Sequence, residues 1–301
     1  MQKEEKVSLS PFTTLKIGGV ADLFCSPQRE EELRQCIQMA KVKDVPILVM
    51  GRGANLLVGD VEGLVVSTRY MRGMWVREEK DGLKVKVMAG EPLKTLIQLA
   101  LKENLEGLYR LAGFPATVGG AVAMNAGAFG YEISQHLTHV AFLDWDGRLH
   151  RVPAKEINFS YRHSPFPRWG IVVWAEFLFP RSEKPVYEEY LQIRERRKKT
   201  QPIHQPTCGS TFKNPPGDYA GRLIQLVGLK GYRLGRVAFS EIHANFIINL
   251  GGATFQEATE LIQIAKDKVY RELGITLEEE VRIVEGRRSD GWKILHHHHH
   301  H

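Results

Sequence analysis

Gly113-Phe114-Pro115-Ala116-Thr117-Val118-Gly119-Gly120-Ala121-Val122-Ala123-Met124-Asn125-Ala126-Gly127-Ala128 is the stretch on which the fold turns. Nearly every side chain in it is small. Such a run costs backbone entropy and makes a poor helix. It makes sense where main chain must press against a flat or phosphorylated ligand. Close packing of a helix through its small residues is the competing reading. The length of the run, with Pro115 and Asn125 inside it, favours the ligand.

A second glycine segment, Gly51-Arg52-Gly53-Ala54-Asn55-Leu56-Leu57, follows a short apolar run at 45–50 that reads as a buried strand. Glycines after a strand let backbone N–H groups approach a phosphate. The segment does not match the dinucleotide fingerprint, because Leu56 takes the place of the third glycine and the residues beyond it read as strand rather than helix. No Gly-Lys-Ser/Thr follows either. A tight turn and a phosphate loop both fit these residues.

Composition narrows the class. The chain has 301 residues, and residues 296–301 are six histidines that read as an affinity tag. Hydrophobic residues make up 43% and charged residues 25%, an ordinary globular balance with room for two or three domains. No run of about 18 apolar residues predicts a membrane span, and residues 1–6 are charged, without the apolar core of a signal segment. Three scattered cysteines, Cys25, Cys36 and Cys208, exclude a disulfide scaffold and fit a reducing cytoplasm. Six histidines precede the tag, none in an HxxxH or HExxH pair, so no metal site is expected. The net charge of +6 points to acidic partners or to ordinary surface charge.

Periodicity gives the elements. Leu33, Cys36, Ile37 and Ala40 share one helix face, with Ser26-Pro27 as a start signal. Strands are expected at 63–69, at 74–79 and 83–89 as a hairpin about Asp81-Gly82, and at 139–145 and 171–179. Leu93, Leu96, Ile97, Ala100 and Leu101 form a second helical face. Residues 181–205 are polar and hold the basic run 194–199, which reads as a solvated helix at a domain boundary. An αβ-type unit follows, with a helix near 219–227 and a strand at 244–249. A long helix opens on the capping box Thr254-Phe255-Gln256-Glu257, and a last strand is expected at 277–284.

Three further segments carry chemistry-bearing side chains. Arg162, in Ser160-Tyr161-Arg162, could hold a carboxylate, although a surface arginine is the default reading of the sequence alone. Thr207-Cys208-Gly209-Ser210-Thr211-Phe212-Lys213-Asn214-Pro215-Pro216 places a hydroxyl, a cation and an amide close together without forming a hydrolase elbow. Glu280 beside Arg282 reads as a surface ion pair, and His243 as a structural histidine.

Taken in order, the small-residue run, Ser160-Tyr161-Arg162, Gly209-Ser210-Thr211-Phe212-Lys213-Asn214-Pro215 and His243-Ala244-Asn245-Phe246-Ile247-Ile248-Asn249 resemble the UDP-N-acetylenolpyruvoylglucosamine reductase family. The resemblance runs from Thr13-Thr14-Leu15-Lys16-Ile17-Gly18-Gly19 to Leu277-Glu278-Glu279-Glu280-Val281-Arg282, nearly the whole untagged chain. It implies an α+β fold: an FAD-binding unit of the vanillyl-alcohol-oxidase (PCMH) type in two subdomains, 1–72 and 73–190. A separate α/β substrate domain at 191–290 and a tail with the tag at 291–301 complete the expected division. It implies that Gly51, Gly53, Ala54, Asn55, Leu56, Gly113, Pro115, Thr117, Gly119, Gly120, Ala121, Asn125 and Gly127 line FAD, and that no metal is used.

The implied reaction, in cytoplasmic peptidoglycan precursor synthesis, has two halves. NADPH reduces the flavin, and the flavin then passes a hydride to the alkene of UDP-N-acetylglucosamine enolpyruvate. Arg162 and Glu280 are implied to stabilise the developing charge and Ser210 to protonate the second carbon, with Lys213 and Asn214 as contacts to the substrate diphosphate. The 48 positions between Arg162 and Ser210 match the shorter class of the family, without an inserted tyrosine loop. Arg52 and Ala54 depart from the family's usual Gly-Gly-Gly-Ser-Asn, and Thr200 stands where a lysine is common. A relative oxidising another substrate on the same fold is the competing enzyme. A basic nucleic-acid binder is the competing non-enzyme, but no aromatic RNA motif or helix-turn-helix supports it. Nucleic acid and membrane insertion are therefore not expected, and a monomer is the default.

Overall fold

A computed structural model describes residues 1–286; the expected tail and tag at 291–301 lie outside the described residues. Seven helices, α1 (Glu30–Lys43), α2 (Leu93–Lys102), α3 (Val118–Ala123), α4 (Phe166–Trp169), α5 (Tyr187–Thr200), α6 (Ala220–Leu226) and α7 (Phe255–Leu273), pack on three main sheets.

The first sheet gathers Gln2–Ser8, Val20–Ser26, Ile47–Met50, Leu56–Ser67 and Arg282–Gly286. Leu56–Ser67 is its long centre, paired in parallel with three partners: Val20–Ser26, Ile47–Met50 and Arg282–Gly286. Buried on both faces, it reads Leu-Leu-Val-Gly-Asp-Val-Glu-Gly-Leu-Val-Val-Ser, an apolar run rather than an alternation. The strand expected at 63–69 is therefore the second half of a longer one that starts directly after the glycine segment. The second sheet is antiparallel throughout, in the order Leu149–Pro153, Leu137–Asp144, Gly170–Phe179, Gly82–Met88 and Met74–Glu79. The helices α2 and α3 close its core, in which Phe177, Phe179, Leu93 and Val118 are wholly buried. The third sheet, Thr207–Ser210, Phe246–Asn249, Val237–Phe239 and Arg233–Leu234, packs with α6 and α7.

Several helix faces follow directly from the sequence. Leu33, Cys36, Ile37 and Ala40 are the buried residues of α1. Ala258, Leu261, Ile262, Ala265 and Val269 are those of α7, whose capping box is formed on both sides. In contrast, α1 does not start at Ser26-Pro27. Ser26 ends a strand, Arg29 is the N-cap, and three glutamates in the first turn with Lys41 and Lys43 in the last turn complement the helix dipole. The last strand also departs from expectation: it covers Arg282–Gly286 and lies in the first sheet, not with the αβ-type unit before it. Polar α5 buries Ile193, and its Glu189 accepts a 2.7 Å hydrogen bond from the Tyr109 hydroxyl.

The third sheet's core reaches into the N-terminus: Leu15, Ile17 and Leu57 are buried among Phe212, Ile224, Phe239 and Leu261. Buried Asn249 fixes that junction. Its amide nitrogen donates to Leu15 O (3.0 Å), and its Oδ1 accepts from Gly251 N (2.8 Å) and Ala253 N (3.2 Å). Asn249→Ala orphans these groups at a buried position, each lost partner costing about 1–3 kcal/mol. Urea unfolding should report a loss in that range. A variant indistinguishable from the parent would show that the junction does not depend on Asn249.

Candidate active site

Three connected chambers run between the sheets. The central one, about 410 Å³, is lined by Gly51–Leu56, Thr117, Gly120 and Val281–Val284 among others. Val49, Gly51, Gly120 and Arg282 join it to a narrow end of about 100 Å³. Ala54, Asn55, Met124, Arg162 and Glu280 join it at the opposite end to a chamber of about 460 Å³ that contains Ser210.

The glycines make the central trough passable. A Cβ on Gly51 would stand 2.4 Å from Thr117 Oγ1, so only glycine lets the two loops approach. Gly53 has φ +63°, and a Cβ there would meet Phe12 O at 2.7 Å. Thr117 caps α3, its Oγ1 accepting from Gly120 N at 3.1 Å. The small-residue run is thus helical over residues 118–123, a difference from the expectation of a poor helix. Both readings of it apply at once: a Cβ on Gly119 would press to 2.8 Å on Ala89 Cβ, which is close helix packing, while Gly120 faces the trough. An elongated, glycine-walled trough of this kind accepts an extended dinucleotide such as FAD.

Arg162 and Glu280 stand where the trough meets the larger chamber, with Arg162 Nε 3.4 Å from Glu280 Oε1. Arg162 adopts φ +51°, an uncommon conformation for a long side chain. Its loop is fastened on both sides. Wholly buried Asn125 donates from Nδ2 to Ser160 O (2.9 Å), and Ser164 Oγ donates to Ala123 O (2.5 Å). Glu280 comes from the other end of the chain. Asn55 Nδ2 donates to Glu280 O (3.1 Å), and Arg282 N donates to Asn55 O (3.0 Å). Burial pushes the Glu280 carboxyl above the usual carboxylate range, against the opposing pull of Arg162 and Lys213.

Ser210 ends the strand Thr207–Ser210, which buried Asn245 holds from behind. Asn245 Oδ1 accepts from Phe212 N (3.0 Å), and its Nδ2 donates to Phe212 O (2.9 Å). His243 is structural, its Nδ1 accepting from Asn245 N at 3.1 Å.

The structure therefore brings Arg162, Ser210 and Glu280 to one chamber, and Gly51, Gly53, Ala54, Asn55, Leu56, Thr117 and Gly120 to the trough. Gly113, Pro115 and Gly127 line the Ser210 chamber, and Gly119 the narrow end. Ala121 and Asn125 are wholly buried behind the walls. Lys213 borders the trough while tethered to Glu278 (3.1 Å), and Asn214 Oδ1 accepts from Ala220 N (3.0 Å) at the start of α6. Sequence reasoning missed Arg282, which looked like half of a surface ion pair. It is half-buried beside the trough, and loss of solvent lowers its guanidinium pKa to about 10. Its place in an alternating charged segment, Glu-Glu-Glu-Val-Arg, gave no signal of that burial.

Comparison with known proteins gives two family matches. Residues 21–153 match the FAD binding domain family, and residues 201–284 match the C-terminal domain of UDP-N-acetylenolpyruvoylglucosamine reductase. The reductase of Aquifex aeolicus is 50% identical over 97% of this chain and 98% of its own length. That of Moorella thermoacetica is 45% identical over 91% of each. The crystal structure of the Thermus caldophilus enzyme superposes with a TM-score of 0.78 at 35% identity, covering 94% of this chain and 99% of that one.

Asn125 offers a test of the site's construction. Its φ of +49° suits asparagine and disfavours alanine, and its side chain fastens the Arg162 loop. Asn125→Ala should cost about 1–3 kcal/mol in thermal or urea unfolding and loosen Arg162. Unchanged stability would show that the loop is held by other contacts.

Proposed function

As the chain belongs to the UDP-N-acetylenolpyruvoylglucosamine reductase family, an FAD-dependent group of oxidoreductases acting in peptidoglycan synthesis, we propose that it reduces UDP-N-acetylglucosamine enolpyruvate to UDP-N-acetylmuramate at the junction of trough and chamber. The observation that carries this reading is the meeting of Arg162, Glu280 and Ser210, from three distant segments, at one chamber beside a glycine-lined trough.

FAD held in the trough would supply the redox chemistry that links NADPH to the terminal alkene carbon of the substrate. The residues named on the trough would hold it: Gly51, Gly53, Ala54, Asn55 and Leu56 on one wall, Thr117 and Gly120 on the other. Arg282 adds a half-buried positive charge at the narrow end.

The remaining work falls to side chains. Hydride addition leaves negative charge on the carbon next to the substrate carboxylate. Arg162 is the cation placed to receive it, and a cation fixed in advance in a partly dry site needs little reorganisation. Its left-handed backbone and the Asn125 and Ser164 fastenings hold it there. Glu280 has two parts in this reading. It orients Arg162, and its raised pKa lets it keep a proton and donate a hydrogen bond to the charged intermediate. Ser210 gives the second carbon its proton. A serine hydroxyl is a weak acid, so the transfer depends on a strongly basic acceptor and on close placement.

Two measurements test these roles. Ser210→Ala should leave bleaching of the flavin by NADPH intact and slow its anaerobic re-oxidation by the enolpyruvyl sugar nucleotide by about 100- to 10,000-fold, the usual span of one acid–base group. Equal loss of both halves would make Ser210 structural. The second concerns pH. A carboxyl whose pKa is raised stays protonated above its ordinary range of about 4.3 and loses the proton as pH climbs further. If the protonated form works, the re-oxidation rate falls as pH rises through that raised pKa, and Glu280→Gln, which cannot ionise, loses this limb. A Glu280→Gln profile that keeps the limb would assign it to another group.

A further inference from the structure

Arg197 is a cation of the Ser210 chamber that the proposed chemistry leaves unused. It projects from the last turn of α5 to line the same wall as Gly113, Pro115 and Gln201. Two other cations of the site have acidic partners: Arg162 has Glu280, and Lys213 has Glu278. Arg197 instead has a buried Nε without a hydrogen-bond partner, and its Nη1 makes only a long contact, 3.4 Å, to Gln201 Oε1. Burial lowers its pKa with no acidic neighbour opposing the shift. Arg197 is half-buried, and a buried guanidinium N–H without a partner is costly unless an acceptor such as an anion meets it.

Its placement is built. A Cβ on Gly113 would lie 3.2 Å from Arg197 Cδ, so glycine there makes room for the side chain. Phe129 lies across it, with its ring centroid 6.0 Å from Arg197 Cζ and 5.7 Å from Arg196 Cζ. Phe129 and Gly130 form the two-residue loop between Gly127–Ala128 and Tyr131–Glu132, with φ of +52° and +77°. Such turns favour Asn, Asp or Gly at the first position. A bulky aromatic there is strained, and at 42% exposure it borders the chamber rather than filling a core.

We infer that Arg197 receives the diphosphate of the sugar nucleotide, with Phe129 as the positioning residue that holds the guanidinium against the chamber wall. The inference deepens the reading above and rests on it. A planar guanidinium with free N–H groups suits phosphate oxygens bidentately. The Ser210 side of the Arg162–Glu280 pair assigns it to substrate, whereas the glycine loops of the trough serve the cofactor. Lys213, tethered to Glu278, and Asn214, which caps α6, become lesser contacts.

The test titrates UDP-N-acetylglucosamine, which cannot be reduced, into FAD-loaded protein by calorimetry. Arg197→Met should weaken binding about 10- to 100-fold, the range of a charge-assisted hydrogen bond, with Arg197→Lys intermediate and FAD content unchanged. Uridine, without phosphates, should bind parent and Arg197→Met alike. Equal affinity of both proteins for the sugar nucleotide overturns the inference, as does loss of FAD with sugar-nucleotide affinity retained, which would make Arg197 a cofactor ligand. Phe129→Asn keeps Arg197 and suits the turn, so it should fold and bind several-fold more weakly; unchanged affinity removes Phe129 from the device. A parent protein that binds no UDP-N-acetylglucosamine sinks the functional reading itself, and the inference with it.

Discussion

The parallel pairing of Arg282–Gly286 with Leu56–Ser67 is the constraint on which the site depends. It brings the end of the described chain back to the strand that begins at the glycine loop. Arg282 sits opposite Leu56, so Glu280, two residues earlier, falls beside Asn55. A slip of one residue would turn Arg282 and Glu280 to the wrong faces. The ion pair with Arg162 and the half-buried Arg282 charge beside the trough both inherit their positions from this register. So does the raised pKa of Glu280, which needs the burial that the strand imposes.

Around that strand, three buried asparagines do similar work. Asn125 fastens the Arg162 loop, Asn245 the segment after Ser210, and Asn249 the N-terminal turn at Leu15. Each uses its amide to satisfy main-chain groups in segments that have no ladder of their own. Catalytic candidates here stand on irregular backbone, and irregular backbone stays put only when its polar groups are answered. Asparagine can donate and accept at once, which a hydroxyl or carboxylate does less evenly.

Much of this was legible in the residues. The faces of α1 and α7 and the second-sheet hairpin follow from local periodicity, because each element buries residues set by its own repeat. The ordered motifs carried the family and the cluster of Arg162, Ser210 and Glu280. Two features were hidden for physical reasons. Which sheet Arg282–Gly286 joins depends on a pairing more than 200 residues away, to which local pattern is blind. The inward turn of Arg197 was masked because α5 is polar nearly all round and shows no apolar face to orient it. Gly113 and Gly127 line the Ser210 chamber beside Arg197 and Arg162 respectively.

The first sheet also holds both ends of the described chain. Gln2 pairs with Ser26, level with the Ser67 end of the central strand, and Gly286 pairs with Val61 near its middle, with two strands between them. At about 4.8 Å between strands and about 3.3 Å per residue along them, the two ends lie about 25 Å apart, a gap that a flexible linker could span. A circular permutant joined there and opened at the exposed Lys80-Asp81 turn would bring Arg282–Gly286 and Leu56–Ser67 closer in sequence, and would make the Met74–Glu79 and Gly82–Met88 hairpin the most distant pairing instead. The entropy of closing the longest loop would move from the first sheet to that hairpin of the second, with the register that sets the site left as it is.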